Sequence, residues 1–221
     1  MTELEARKYF WRIYELLRRA TESFILWAYI RNCYDGTLNT DSSRTIYANH
    51  DLLNLIASNA RSNAIVTLYI LCDDSAQGRK GCNVYKLLEE GALLAAKGIE
   101  EHRAMLKKLK PEIGKLGLLR NNLDAHLCEK DDWMIPFSKG PKEQANGVAI
   151  DRVLRECFAT ALCVAQALGI EAVGHNGVRD RTQTYCDRLV RALTAQCESK
   201  AIGDEPWPLD EENRQLNQSE N

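Results

Sequence analysis

The sequence predicts an all-α fold, and three observations carry that expectation. Apolar residues recur at three- and four-residue spacing through several long stretches, as one face of a helix requires. No stretch shows the strict alternation of a half-buried strand, and no internal repeat stands out. Gly, Pro, Asn and Asp cluster between the periodic stretches, where connections belong. At 221 residues, 45% hydrophobic and 27% charged, the chain has the composition of an ordinary globular protein and enough length for a real core. One domain is expected over residues 1–198, followed by an acidic, amide-rich tail at 199–221 whose two prolines predict disorder.

Residues 3–32 predict one long helix. Thr2 supplies an N-cap, Glu3 and Glu5 favour the dipole, and Phe10, Ile13, Tyr14, Leu17, Phe24 and Trp27 hold helical spacing without interruption by Gly or Pro. Asp35-Gly36 and Asn39–Ser43 end it. A second helix over 51–72 is apolar round most of its circumference, from Leu52, Leu53, Leu55 and Ile56 to Ile65, Leu68 and Leu71, and is expected to be the most buried. Asp73-Asp74-Ser75 then opens a polar connection; such carboxylates more often cap a helix or face solvent than hold a metal. A short helix over 84–90 and a charged one over 93–109 follow, the latter stopped by Pro111. Residues 112–129 form the next helix, 130–147 the longest loop, 150–168 a strongly apolar helix ended by Gly169, and 178–197 the last. His102 reads as a surface residue and His175 as a turn histidine.

Charge and targeting signals narrow the function classes. A formal net charge of −2 gives no global attraction to nucleic acid, so any such contact must come from a local patch. The sequence is read as holding one basic concentration, Arg103, Lys107 and Lys110 at i, i+4 and i+7, with Lys115 following; phosphate contacts need clustered cations of this kind. Its competing reading is a solvated face offset by Glu100, Glu101 and Glu112. The first residues are acidic where the basic region of a signal peptide belongs, and the apolar run Phe24–Ile30 is too short to span a bilayer. A cytoplasmic protein with no membrane partner is expected. Eight cysteines are scattered without Cys-x-x-Cys or zinc-type His spacing, which predicts reduced, buried thiols and no metal site. No Gly-rich phosphate loop is present.

The stretch Leu-Leu-Arg-Asn-Asn-Leu-Asp-Ala-His-Leu-Cys at 118–128 concentrates the chemistry. Arg120 is a permanent cation, Asn121 an amide and His126 a group that exchanges protons near neutral pH. Leu118, Leu119, Leu123 and Leu127 give the stretch helical spacing. At about 100° per residue, Arg120 and His126 stand about 120° apart on one helix, so a single helix does not stack them. A lone Arg or His near a helix end is, by itself, usually solvated or capping.

Arg-Asn-x-x-x-Ala-His after an apolar pair resembles the Arg-x(4–6)-His motif of the HEPN superfamily, the higher eukaryotes and prokaryotes nucleotide-binding domains. Thr21–Tyr29, the apolar helix ending in the acidic turn at 73–74, and Tyr85-Lys-Leu-Leu are similar to its abortive-infection, AbiU-like branch. The resemblance covers residues 10–130 in patches and, more faintly, the helix at 150–168. It implies an up-and-down multi-helix bundle with long N-terminal helices. It also implies a metal-independent endoribonuclease whose two copies form one composite cleft, serving as a toxin or anti-phage component with a neutralising partner. His126 would then transfer protons, Arg120 hold the phosphate and Asn121 position, with no cofactor. The chemistry is reasonable because RNA brings its own nucleophile, the 2′-OH. A non-catalytic helical dimer that binds nucleotide, RNA or a partner protein is the competing expectation, and an accidental motif the blandest.

Overall fold

The computed structural model describes residues 2–34, 50–75, 81–129 and 141–200, and within them not the side chains of 34, 50, 121–129, 141–146 and 196–200. Seven helices and no strand make up these residues: α1 (Glu3–Tyr34), α2 (His50–Cys72), α3 (Val84–Leu93), α4 (Ile99–Lys108), α5 (Lys110–Glu129), α6 (Pro141–Ala167) and α7 (His175–Lys200). The all-α expectation holds. The tail beyond residue 200 lies outside the described residues.

The first helix starts as its sequence dictates. The Thr2 hydroxyl accepts from the Glu5 amide at 3.3 Å while the Glu5 carboxylate accepts from the Thr2 amide at 2.7 Å, a reciprocal cap that satisfies two otherwise orphaned donors. Phe10, Ile13, Leu17, Ala20, Trp27 and Ile30 then bury one side of α1 against α2, α6 and α7.

Burial is greatest in α6 rather than in α2. Ile150, Val153, Leu154, Cys157, Phe158, Thr160, Ala161, Val164 and Ala165 are all buried, and α6 touches every other described helix. By contrast α2 buries Leu53, Ala57, Ala64, Ile65, Leu68 and Leu71 but leaves Leu52, Leu55 and Ile70 about half exposed. Composition alone concealed this, because an all-round apolar helix predicts a burial that α2 lacks. Asp51–Cys72 is also the one described helix long and apolar enough to cross a membrane, and it packs against α1 and α5 here.

Several boundaries differ from the sequence pattern for local reasons. The helix expected from 93 begins only at Ile99, because Ala95 and Gly98 take left-handed backbone (φ 51° and 87°) and turn the chain. Pro111 does not separate two helices by a loop. It falls in the first turn of α5, where a missing N–H costs nothing, and α4 and α5 join at Leu109 alone. The expected loop at 130–147 is in part helix: α6 starts at Pro141, again a proline in a first turn. Its remainder, 130–140, lies outside the described residues. Gly91 lets α3 sit close to α4 and α6; a Cβ there would stand 2.7 Å from Ile99 Cδ1 and 2.9 Å from Val164 Cγ2.

Five of the eight cysteines are buried (33, 72, 157, 163 and 186) and Cys82 is half-buried. Cys72 and Cys157 face each other across α2 and α6, their sulfurs 3.5 Å apart. Contact with the Cys72 sulfur, and then burial, push the Cys157 thiol well above its ordinary range. Both are unreactive core thiols in this state.

Candidate functional site

The motif helix packs along α2, and Lys110 at its start is the one member of the basic cluster on that seam; Arg103 and Lys107 stand on α4. Helices α2 and α5 run in opposite directions. Asp74, just beyond the end of α2, pairs with Lys110 at the start of α5 (3.1 Å), and Tyr69, more than a turn earlier in α2, lies over Gly117 and Arg120. Gly117 is required for this approach: a Cβ there would fall 2.8 Å from the Tyr69 ring. The Arg120 guanidinium sits 4.3 Å from the Tyr69 ring centroid, a cation–π contact that fixes a long side chain. Lys110 and Arg120 thus both reach toward α2, about 80° apart round α5 and separated by about 15 Å of helix rise.

Three of the four residues expected to contact phosphate share a groove. Arg103, Lys107 and Lys110 line a concavity of about 410 Å³ with Asp74, Glu89, Tyr85 and Leu88. Arg103 already pairs with Glu100 (3.1 Å) and Lys110 with Asp74, whereas Lys107 has no acidic partner among the described residues. The Arg103–Glu100 pair is exposed, so a phosphate can displace that carboxylate at a cost of about 1 kcal/mol or less; in the other pair Lys110 is exposed and Asp74 half-buried. Lys115 does not join them. It is exposed, about 140° round α5 from Lys110.

The groove is shaped by a residue that composition did not single out. Asn83 is fully buried; its side-chain oxygen accepts from the Tyr85 amide at 2.8 Å and caps α3, while its amide donates to the Asp73 carbonyl at 2.6 Å. The Tyr9 hydroxyl accepts from the Asn83 amide (2.8 Å) and donates toward its carbonyl (3.0 Å). One network therefore holds the acidic turn, the start of α3 and the groove wall together. Burial, set against a hydrogen bond from Asn83, pushes the Tyr9 phenol up to about 12, so it stays a donor at all ordinary pH. The legible signal was Asn immediately before an apolar helical run, a capping pattern. Asp73 and Asp74 are occupied by these contacts and by the Ser75 amide (3.0 Å), and no cluster able to hold a metal occurs among the described residues.

The remaining site residues are placed by backbone alone. Asn121 and His126 belong to α5, one residue and six residues beyond Arg120, and their side chains lie outside the described residues. Two other histidines differ from expectation. His102 is half-buried, its Nδ1 2.8 Å from the Glu156 carboxylate of α6. His175 is not in a turn but is the first residue of α7, buried against Phe158.

No family model, curated protein or solved structure matches this chain.

Proposed function

We propose that the chain is a metal-independent endoribonuclease of the HEPN type, acting as a dimer in which α5 of each copy contributes to one cleft. The alignment of Lys110 and Arg120 along the α2–α5 seam is the observation that carries this reading. It supplies a track of cations leading to the stretch that also holds Asn121 and His126. In the reaction, His126 takes the proton of the 2′-OH, the oxygen attacks the adjacent phosphorus, and the P–O5′ bond breaks as the 5′-oxygen takes a proton from the imidazolium so formed. Arg120 offsets charge on the phosphoryl oxygens through its planar fork, and Asn121 positions them. Nothing in these steps requires a bound metal. Ile70 of α2 and Leu118 of α5, exposed at 49% and 65%, are suited to burial by a second copy. A role in defence, with a neutralising partner and a cytoplasmic site of action, belongs to the same proposal.

The Arg120–Tyr69 contact also favours a second reading, because an arginine stacked on a tyrosine can serve packing alone. In that case the chain is a non-catalytic helical dimer that binds RNA or a partner protein. Cleavage of end-labelled, mixed-sequence RNA in EDTA separates the two. The ribonuclease reading expects 2′,3′-cyclic phosphate ends, and a loss of about 10²–10⁴ in rate for His126→Ala at unchanged fold and oligomer size. If wild type and variant are equally inert over an RNA panel that includes tRNA, the non-catalytic reading replaces it.

A further inference from the structure

The outer face of α7 carries a basic surface separate from the seam. Arg181, Arg188 and Arg191 are all exposed, and none of them forms an ion pair among the described residues. On a helix, Arg181, Tyr185 and Arg188 fall within about 60° of one another, and Arg191 about 60° further round. Tyr185 is 59% exposed, with the Arg188 guanidinium 6.0 Å from its ring centroid. The acidic side chains nearby that are described are turned elsewhere or already engaged. Asp187 is half-buried and accepts from the Tyr29 hydroxyl at 2.7 Å, and Asp180 lies about 100° round the helix from Arg181. Glu22 of α1 is bound by Arg18.

Beside this row runs a groove of about 490 Å³ between α1 and α7, lined by Leu26, Thr182, Tyr185, Cys186 and Leu189, with Glu22 and Ser23 at its α1 edge. Tyr185 stands between the groove and the arginines. Its ring contributes to the groove lining and has the Arg188 guanidinium close by. From Arg181 to Arg188 the helix rises about 10 Å, the reach of about three stacked nucleotides.

We propose that this face of α7 binds single-stranded nucleic acid, with phosphates on Arg181, Arg188 and Arg191 and a base stacked on Tyr185 beside the α1–α7 groove. Free cations beside an exposed aromatic are what sequence-tolerant strand binding needs. The chemistry selects a single strand. A duplex offers the arginines the same phosphates but hides its base faces from Tyr185. An acidic peptide satisfies the arginines but brings no flat face for the ring. The surface stands on α7 and its neighbours in α1, and does not depend on cleavage at the seam.

Fluorescence anisotropy of a labelled, mixed-sequence strand of about 15 nucleotides, as RNA and as DNA, tests this on the full chain over a salt series. Arg181→Ala/Arg188→Ala should weaken binding at least tenfold at low salt and flatten the log–log salt slope by about 1.4. Tyr185→Ala should weaken binding about tenfold with the slope unchanged, and Tyr185→Phe should restore it. The same sequence as a duplex should bind more weakly than the single strand. The proposal is overturned if Tyr185→Ala binds as wild type, if the double variant keeps the full slope, or if duplex, polyglutamate or anionic vesicles compete as well as the single strand. All the substituted residues are exposed, and circular dichroism checks that each variant folds. RNA cleavage followed in parallel keeps the outcome separate from that of the ribonuclease reading, since either can fail alone.

Discussion

The groove where α4 meets α5 and the outer face of α7 each present three cations, and they differ in what surrounds those cations. In the groove, Asp74 and Glu89 share the lining, Arg103 is paired with Glu100, Lys110 is paired with Asp74, and the aromatic residue, Tyr85, is buried. On α7 the arginines are unpaired among the described residues and Tyr185 is open to solvent. Binding a polyanion at the groove means exchanging one set of ionic contacts for another. On α7 it adds contacts where there were none. On the proposed readings, the groove would hold a strand loosely and α7 would capture it. Counting charges gives the two surfaces equal weight; the pairing state separates them.

The largest expected effect that separates the two surfaces comes from the support beneath the groove. Asn83→Ala removes the cap of α3 and the bond to the Asp73 carbonyl, and leaves buried partners unsatisfied. The cost should be about 2 kcal/mol, a fall of about 4–8 °C in the unfolding midpoint for a chain of this size. Strand binding through α7 should survive, because no part of that surface rests on Asn83. Calorimetry and anisotropy on the same variant check both halves, and equal loss of binding at both surfaces would dissolve the distinction between them.

Releasing a groove cation should have a smaller effect, of opposite sign. Asp74→Asn leaves the Lys110 ammonium without its carboxylate (now 3.1 Å away) at a surface that stays folded. Measured in the Arg181→Ala/Arg188→Ala background, so that the groove is read alone, RNA affinity should rise about threefold, in keeping with the small worth of an exposed pair. No such gain should follow from substituting Asp180 or Asp187, since neither neutralises an α7 arginine. If Asp74→Asn changes nothing, the groove is a solvated face and not a phosphate contact.

These two surfaces also show why the sequence was legible unevenly. The all-α class and the Thr2 cap follow from patterns that act within a few residues: helical spacing and a Thr-x-x-Glu box. The cluster Arg103, Lys107, Lys110 was visible for the same reason, since i, i+4, i+7 on one helix needs no tertiary knowledge. That Lys115 faces elsewhere follows from helix geometry alone. That Asp74 and Glu100 occupy Lys110 and Arg103 needs the packing. The α7 arginines were in plain view, yet their significance depends on an absence, that no described carboxylate of α1 or α7 reaches them, and a linear pattern cannot show it. The exposed half of α2 was hidden similarly: Leu52, Leu55 and Ile70 look like core residues until their neighbours are known. At the seam, the expected separation of Arg120 and His126 involves a side chain outside the described residues, whereas the Tyr69 contact to Arg120 joins residues 51 apart in the chain.

The smallest expected effect concerns pH, and it should reach α7 alone. His175 opens that helix, and neither ring nitrogen has a hydrogen-bond partner among the described residues; Asp151 Oδ1 is 3.7 Å from Nε2. Burial lowers its pKa, as do Arg155 and Arg179, while Asp151 and Asn176 act in the opposite direction. Well above pH 6.5, the value in the unfolded chain, the ring is neutral whether folded or not and titration contributes nothing. As pH falls below about 6.5 the unfolded chain takes up a proton that the folded chain resists, so stability is lost over the interval down to the folded pKa. His175→Phe keeps a ring against Phe158, removes the two unpartnered nitrogens and removes the titration. Its unfolding midpoint should therefore decline less than that of wild type between pH 7.5 and about 5.5. Amide exchange should locate the wild-type loosening at the start of α7, with strand binding through Arg181 weakening in step and the groove unaffected. An identical decline in the variant would mean that carboxylates elsewhere set the acid response, and that the α7 surface is as indifferent to pH as the groove.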